Sequence, residues 1–252
     1  MTILHIPHAS SHIPSDLRQQ FVVDGVVLEA ELRTMTDWFT DELFGGTVPG
    51  ATEVVYPVSR LVVDPERFAN DADEPAARVG MGAVYLRTSA GTPLRAPLPV
   101  EEREALLARF YRPHHESLSE AVGAALDAEG HALVIDCHSF PLRSVPFELS
   151  DRRPDICIGS DPFHTPGPLL ETAVRAFEDQ GFSVGVDDPF AGALVPERYY
   201  RRDARVQALM VEVGRWLYMD EDAVVKHDGF AAVRRRVAAS LRHVTARAGG
   251  VK

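Results

Sequence analysis

The chain is poor in the features that mark secreted, membrane or polyanion-binding proteins. Only two of its 252 residues are cysteines, Cys137 and Cys157, so no disulfide framework can form. Both lie in apolar, strand-like runs, where a reduced thiol packs as a small hydrophobe. Residues 1–20 lack the basic start, apolar stretch and small-residue cleavage site of a secretory leader, and a cytoplasmic location is expected. No apolar run approaches the roughly 18 residues of a membrane span, so no membrane is expected as a partner. Positive charge is scarce: 26 Lys and Arg face 37 Asp and Glu, for a formal net charge of −11. Binding phosphate backbones needs a basic face, so general nucleic-acid binding is excluded. The exception is residues 226–252, where Lys226, Arg234, Arg235, Arg236, Arg242, Arg247 and Lys252 oppose Asp228 alone. Val233, Val237 and Leu241 recur there at helical spacing, and the basic residues read as the solvated side of that helix. There is no internal repeat and no linker-like low-complexity segment.

What is present is an alternation of short β-branched runs with helical periods. Strands are expected at 2–7, 52–56, 60–63, 131–137, near 155–158 and near 182–186. A helix is expected over part of 25–44, with Thr36 and Asp37 suited to a helix start, and another near 167–180, stopped by Gly181. The longest helical pattern covers 99–129, with Pro113 expected to kink or divide it and Gly130 to end it. Residues 65–98 are rich in Gly, Pro and charge. A small hairpin, 82–88 with 92–96, is expected inside that stretch, which becomes a candidate lid. A loop is expected from Ser139 to Ser150. The fold class that follows is α/β, a single domain over 1–252 with a mixed, mostly parallel sheet flanked by helices.

Three apolar runs end in residues that bind metals or move protons. Ile3–Ile6 leads to His8, Ala132–Ile135 to Asp136 and His138, and Ala208–Val211 to Glu212. In open α/β sheets, sites form outside the carboxyl ends of strands, so these residues can share one crevice. Two imidazoles and a carboxylate there suggest a metal-assisted hydrolase. Asp136 stands two residues before His138 and shares its face; it is either an orienting partner, a base, or a helix cap or ion-pair carboxylate. His5 reads as a satisfied core histidine. His114 and His115 are adjacent on a helix and cannot both face one metal. Cys137 faces away from His138, which rules out a thiolate–imidazolium couple. Glu212, ending an apolar run, must be paired, metal-bound or catalytic. Arg60, Arg67, Arg198, Arg201, Arg202 and Arg215 surround these stretches, either in salt bridges or as a trap for an anionic substrate.

Taken together, Ile6-Pro7-His8-Ala9-Ser10, Thr36-Asp37-Trp38-Phe39, Ser59-Arg60-Leu61-Val62-Val63-Asp64, Asp136-Cys137-His138-Ser139, Pro189-Phe190-Ala191-Gly192 and Ala208-Leu209-Met210-Val211-Glu212, followed by Tyr218-Met219-Asp220-Glu221, resemble the N-formylglutamate amidohydrolase family. The resemblance runs from about residue 3 to residue 222. It implies a fold similar to the zinc carboxypeptidases and aminoacylases, with one zinc ion per chain. On that resemblance His8, His138 and Asp37 are the zinc ligands and Glu212 is the general base. Arg60 and Arg67 match the substrate-binding stretch, with Arg198 and Arg215 as further contacts. The implied reaction is zinc-dependent hydrolysis of an N-acylated acidic amino acid, N-formyl-L-glutamate first, by a monomer or small homo-oligomer. For Asp37, helix-start capping stands as the alternative. Two departures bear on the substrate: Asp64-Pro65-Glu66-Arg67 replaces an Asp-Leu-Asn-Arg form, and Ala193 replaces a second glycine after Gly192. Two other functional classes use the same residues. Two histidines and a carboxylate also describe a facial-triad iron oxygenase, and an arginine pocket on this fold also describes a non-catalytic binding protein for acyl-amino acids.

Overall fold

A computed structural model describes residues 1–144 and 150–248. Within them, strands β1 (Thr2–Ile6), β2 (Thr52–Val55), β3 (Ala132–Phe140), β4 (Ile156–Gly159), β5 (Val184–Val186) and β6 (Val206–Gly214) form one sheet in the order β2-β1-β3-β6-β4-β5. The four strands β2, β1, β3 and β6 run parallel. β4 lies antiparallel to β6, and β5 runs parallel to β4, so the sheet is mixed with parallel pairing dominant. A short pair of strands, β7 (Met219–Asp220) and β8 (Val225–Lys226), stands apart.

The alternation of side chains along each strand builds two layers. On one face, Leu133, Ile135 and Cys137 of β3 and Leu209, Val211 and Val213 of β6 pack beneath helices α2 (Thr40–Phe44), α5 (Gly167–Glu178) and α6 (Phe230–Ala248). On the other, Ile3, Val134 and Ala208 pack against Leu118, Val122 and Ala125 of α4 (Arg112–Glu129). All nine residues of β3 are buried, as a central strand covered on both faces requires. This second face changes character along its length. Ile3 gives way to His5, Val134 to Asp136 and His138, and Ala208 to Met210 and Glu212. The apolar half is roofed by α4, and the polar half opens into a cleft.

The long helical pattern is continuous but not uniform. Helix α3 (Val100–Leu106) passes into a π-helical segment, Leu107–Tyr111, and then into α4. Pro113 has no N–H for the carbonyl four residues back. The chain widens just before it, and the Arg112 N–H reaches the Leu107 carbonyl five residues away. Gly130, at φ 73°, ends α4 in the left-handed conformation that glycine adopts without strain.

Several expectations need correction. Residues 60–63 are a turn closed by Val62 N–H to Ser59 O at 2.9 Å; their β-branched side chains fill the core rather than a ladder. The hairpin expected over 82–88 and 92–96 is shorter than that: Arg87 and Pro93 form an antiparallel bridge flanked by Thr88 N–H to Thr92 O at 2.8 Å and Leu94 N–H to Leu86 O at 2.9 Å, and Arg95 bridges to Phe21. Stretch 65–98 is a packed wall rather than a hinged lid, since Tyr85 and Leu94 are fully buried within it. The helix in 25–44 is two helices: α1 (Gly25–Met35), capped by Asp24 accepting from Val27 N–H at 2.9 Å, and α2, which has no side-chain cap. β3 runs on to Phe140, so the expected loop begins later; its residues 145–149 lie outside the described residues, as does Lys252. The basic side of α6 is less solvated than expected. Arg234 donates to the Glu42 and Gly45 carbonyls, Arg236 to Gln180 O and Arg242 to Thr47 O, satisfying carbonyls of neighbouring turns while Val233, Val237 and Leu241 fill the core.

Candidate metal centre and active-site cleft

The polar half of the sheet face forms the floor of a cleft of about 1260 Å³. Here β1 ends at Ile6 and Pro7 turns the chain, bringing His8 over β3. The rings of His8 and His138 lie 5.0 Å apart between centroids. Between them stands Asp37, from the link joining α1 to α2. Its Oδ2 is 3.0 Å from His138 Nδ1 and 3.7 Å from His8 Nδ1. One donor atom from each of the three residues falls within 4.8 Å of the others, and all three side chains are buried. Asp37 caps no helix: it accepts from Ser139 N–H at 3.2 Å and from Arg215 Nη2 at 3.0 Å.

A carboxylate stands behind each imidazole, and the one behind His8 is hydrogen-bonded to it. His8 Nε2 donates to Asp64 Oδ1 at 2.8 Å, and His138 Nε2 lies 3.0 Å from Asp136 Oδ1. Both rings therefore turn Nδ1 toward Asp37. Among the described residues neither His8 Nδ1 nor His138 Nε2 has a hydrogen-bond partner, although both are buried. A buried lone pair without a donor, facing a second imidazole and a carboxylate, is what a divalent cation needs, and the Asp64 carboxylate behind the His8 ring fixes its ligating tautomer.

The electrostatics agree. Burial would lower the His138 pKa, but Asp136 and Asp37 outweigh it and hold the imidazole well above its ordinary value. A proton thus stands on the ring between two anions where a cation belongs. His8, desolvated by burial and facing the Arg60 charge, is pushed down and stays neutral. Burial would raise the Asp37 pKa, yet its hydrogen bond to His138 and the nearby His8 imidazole hold it down and keep the carboxylate ionised.

Glu212 is the register partner of His138 on β6 and faces the same cleft. Its Oε2 has no hydrogen-bond partner among the described residues, and burial pushes the carboxyl up to about 8. Placed beside the imidazole cage, such a carboxyl can exchange protons near neutral pH.

The arginines divide into different settings. Arg60, Arg67 and Arg198 line the cleft. Arg60 donates through Nε and Nη2 to Asp64 Oδ2 at 3.1 and 2.7 Å, and Arg67 Nε lies 3.7 Å from the same oxygen. Arg198 lies over the Tyr199 ring at 5.6 Å. Arg215 is placed beneath Asp37, with Nε on Ser139 Oγ, Nη1 on Thr34 O and Nη2 on Ser139 O as well as on Asp37, so its nitrogens serve the protein. Arg201 stacks on Tyr200, its backbone N–H held by His164. Cys137 sits on the apolar face, where burial raises its thiol well above the ordinary range.

Sequence reasoning missed Asp64 and Glu66. Asp64 is fully buried and receives His8, Arg60, the Tyr85 hydroxyl and Glu66 N–H. Glu66 lines the cleft, with Oε1 3.3 Å from His5 Nδ1 and 4.0 Å from His138 Nε2. Burial and the neighbouring Asp136 charge push its carboxyl well above the usual range. The one local signal for both was the clustering of opposite charges in Arg60 to Arg67.

This arrangement has parallels among known proteins. A family model described as N-formylglutamate amidohydrolase matches residues 1–219. The chain is 32% identical over 209 residues to an N-formylglutamate deformylase of Pseudomonas aeruginosa, covering 79% of this chain and 76% of that one. Its structure resembles the crystal structure of an N-formylglutamate amidohydrolase from Ralstonia eutropha JMP134, with a TM-score of 0.84 and 26% identity over 99% of this chain and 95% of the other. A gene product of Agrobacterium tumefaciens shares the fold, with a TM-score of 0.64 and 22% identity over 98% and 89% of the two chains. The sheet face that carries His8, Asp136, His138 and Glu212 lies within the matched residues, and the chain belongs to the N-formylglutamate amidohydrolase family.

Proposed function

We propose that the protein is a zinc-dependent amidohydrolase that cleaves the formyl amide of N-formyl-L-glutamate, giving L-glutamate and formate. The observation that carries this reading is the cage of His8, Asp37 and His138 with the Glu212 carboxyl beside it. Names of relatives at 32% and 26% identity support the same substrate.

A zinc ion held by His8 Nδ1, His138 Nδ1 and Asp37 would supply Lewis acidity to the attacking water and to the scissile carbonyl. The chain's own residues do the rest. Asp64 holds the His8 ring in the ligating tautomer, Asp136 sets a negative charge beside His138, and Arg215 holds Asp37. Glu212 removes a proton from the attacking water. As the C–N bond breaks, it passes that proton to the departing amine nitrogen. Its starting pKa of about 8 falls when positive charge enters the cage, which brings it toward the neutral range where both transfers are easy. Arg60, Arg67 and Arg198 bind the carboxylates of the acidic amino acid by charge-assisted hydrogen bonds. The substrate is a small anion, and the reaction calls for no nucleic acid or membrane. The two buried free thiols accord with a reducing, cytoplasmic setting.

A facial-triad oxygenase would also use two histidines and a carboxylate, but it has no use for a second carboxyl set beside the cage, whereas hydrolysis needs a base there. The test is a panel of N-formyl, N-acetyl and N-succinyl derivatives of glutamate, aspartate and neutral amino acids, offered to zinc-loaded protein. The reading requires N-formyl-L-glutamate to be turned over best, with neutral amino acids at least tenfold worse. Preference for neutral substrates would overturn the anion-binding role of the arginines. Oxygen consumption, or tight binding of an acyl-amino acid without product, would replace the hydrolase reading with one of its rivals.

A further inference from the structure

The Pro189-Phe190-Ala191-Gly192 run takes no part in the reaction above, although it lines the cleft. In the sheet, Glu212 has two register partners, His138 of β3 on one side and Cys157 of β4 on the other. Residues paired across a ladder project to the same face. Cys157 and, two positions on, Gly159 therefore lie on the cleft side of β4, while Ile156 and Ile158 fill the core beneath the helices. The 190–192 segment is seated directly on that side. The Cys157 thiol donates to the Phe190 carbonyl at 3.3 Å. At Gly159 a Cβ would run into the Gly192 carbonyl oxygen and would lie 2.5 Å from Met210 Cε, so the close approach of the segment depends on glycine there.

From β4 the chain crosses the sheet. The Leu194 N–H reaches Asp136 Oδ2 at 3.1 Å, on β3 two residues before His138. The Phe190 ring meets that of Phe140, two residues after His138, edge-on at 5.4 Å. Met210 stands two residues before Glu212 on β6 and lines the same cleft. The corner over the buried Glu212 is thus bounded by the cage, by the 190–192 backbone and by the apolar side chains of Phe140, Phe190 and Met210. The opposite flank is different in kind. There Asp64 stands behind His8 on the β1 side and gathers Arg60 and Arg67, both of which line the cleft.

A substrate with its scissile carbonyl at the cage and its carboxylates on Arg60 and Arg67 turns its acyl group into the Glu212 corner. We propose that the 190–192 segment is the size filter of this acyl site, with Phe190 the residue that admits a formyl hydrogen and refuses the methyl group of an acetyl. The proposal deepens the hydrolase reading and rests on it. Formyl is the smallest acyl group, so selecting it calls for a stop rather than a fitted pocket. A stop discriminates by clash, and only as well as it stands firm. Cys157 and the bare backbone of Gly159 supply that firmness by holding the segment on a strand of the sheet.

The test measures kcat/KM for N-formyl-L-glutamate and N-acetyl-L-glutamate with the zinc-loaded full chain, unaltered and as F190A and F190L. The unaltered protein is expected to prefer the formyl compound by about 100-fold, within the range that one methyl-sized group is worth in an enzyme site. F190A is expected to narrow that ratio about tenfold or more through a gain on the acetyl compound, and F190L, which keeps part of the bulk, to fall between. A general disturbance of the fold lowers both rates together, so an unmoved ratio in F190A, or one that narrows only by loss on the formyl compound, overturns the proposal. So does unaltered protein that hydrolyses the acetyl compound as fast as the formyl one, a result that requires no variant to fold. Unaltered protein that hydrolyses neither overturns the hydrolase reading and the filter with it. Turnover of N-formyl-L-glutamate with an unmoved ratio overturns the filter alone.

Discussion

His138 and Glu212 are register partners on the neighbouring parallel strands β3 and β6, so their side chains rise side by side from one face of the sheet. Because the backbone ladder sets that spacing, the proposed base and the proposed ligand are held by rigid elements rather than by a loop. Glu212→Gln keeps the shape and removes the base. It is expected to lower kcat by at least about 10³-fold, the scale of general acid–base catalysis, while zinc content by elemental analysis stays near that of the unaltered protein. Turnover within tenfold of normal would exclude Glu212 as the base.

Metal removal is expected to abolish activity and to lower stability together. The proposed cage exists only in the folded chain, so zinc at 1,000 times its dissociation constant should add about 4 kcal/mol to unfolding free energy. Dialysis against a chelator, followed by calorimetry with and without added zinc, measures both effects. A melting temperature indifferent to zinc would count against the cage.

Asp64, itself fully buried, joins four partners beside the cleft: His8, Arg60, Tyr85 and the Glu66 N–H. Asp64→Ala leaves the half-buried Arg60 charge and the buried His8 and Tyr85 donors without their acceptor, and the expected loss is about 3 kcal/mol, the low end of the cost of breaking a buried ion pair from one side. Urea unfolding at neutral pH measures it. A loss under 1 kcal/mol would mean that water reaches the pair.

Arg67 tests the anion pocket. Arg67→Ala is expected to raise KM for N-formyl-L-glutamate at least tenfold with a smaller change in kcat. Arg67→Lys is expected to recover only part of that, because an ammonium lacks the planar fork that matches a carboxylate. Steady-state kinetics on both variants separates the two effects.

The pH dependence of stability should carry the mark of His114. Its folded pKa of about 2 lies below the ordinary value of 6.5, so the unfolded chain binds the extra proton first. The stability contributed by the neutral buried ring is complete above pH 6.5. It is lost as pH falls toward 2, by up to ~1.4 kcal/mol per pH unit for this one site. Compared with the unaltered protein, H114Q should show a shallower decline of urea-unfolding free energy between pH 6.5 and 4. Parallel declines would show that this ring does not govern the slope.

Much of this arrangement is local and therefore legible in the chain. Period-two alternation places Asp136 and His138 on one face and Cys137 on the other, and the structure keeps that division. Apolar runs ending in His8, His138 and Glu212 marked the strand ends where α/β sites form. The β-branched run at 60–63 misled because Val62 and Val63 are equally at home in a packed turn; propensity measures a fit to buried surroundings, not to a ladder. Asp37 was ambiguous because a Thr-Asp pair before an apolar stretch also describes a helix cap, and only the placement of α2 beyond it removed that option.

The sequence by itself determined which residues are buried, which face of each strand they share and where the chain exchanges apolar for ionisable side chains. It did so because those are properties of period and polarity. Tertiary structure alone decided that β1, β3 and β6 lie next to one another, that His5 meets Asp136 and His114, and that Arg215 reaches Asp37 across 178 positions. Those pairings are set by the summed burial of both sheet faces, to which no local window of sequence has access.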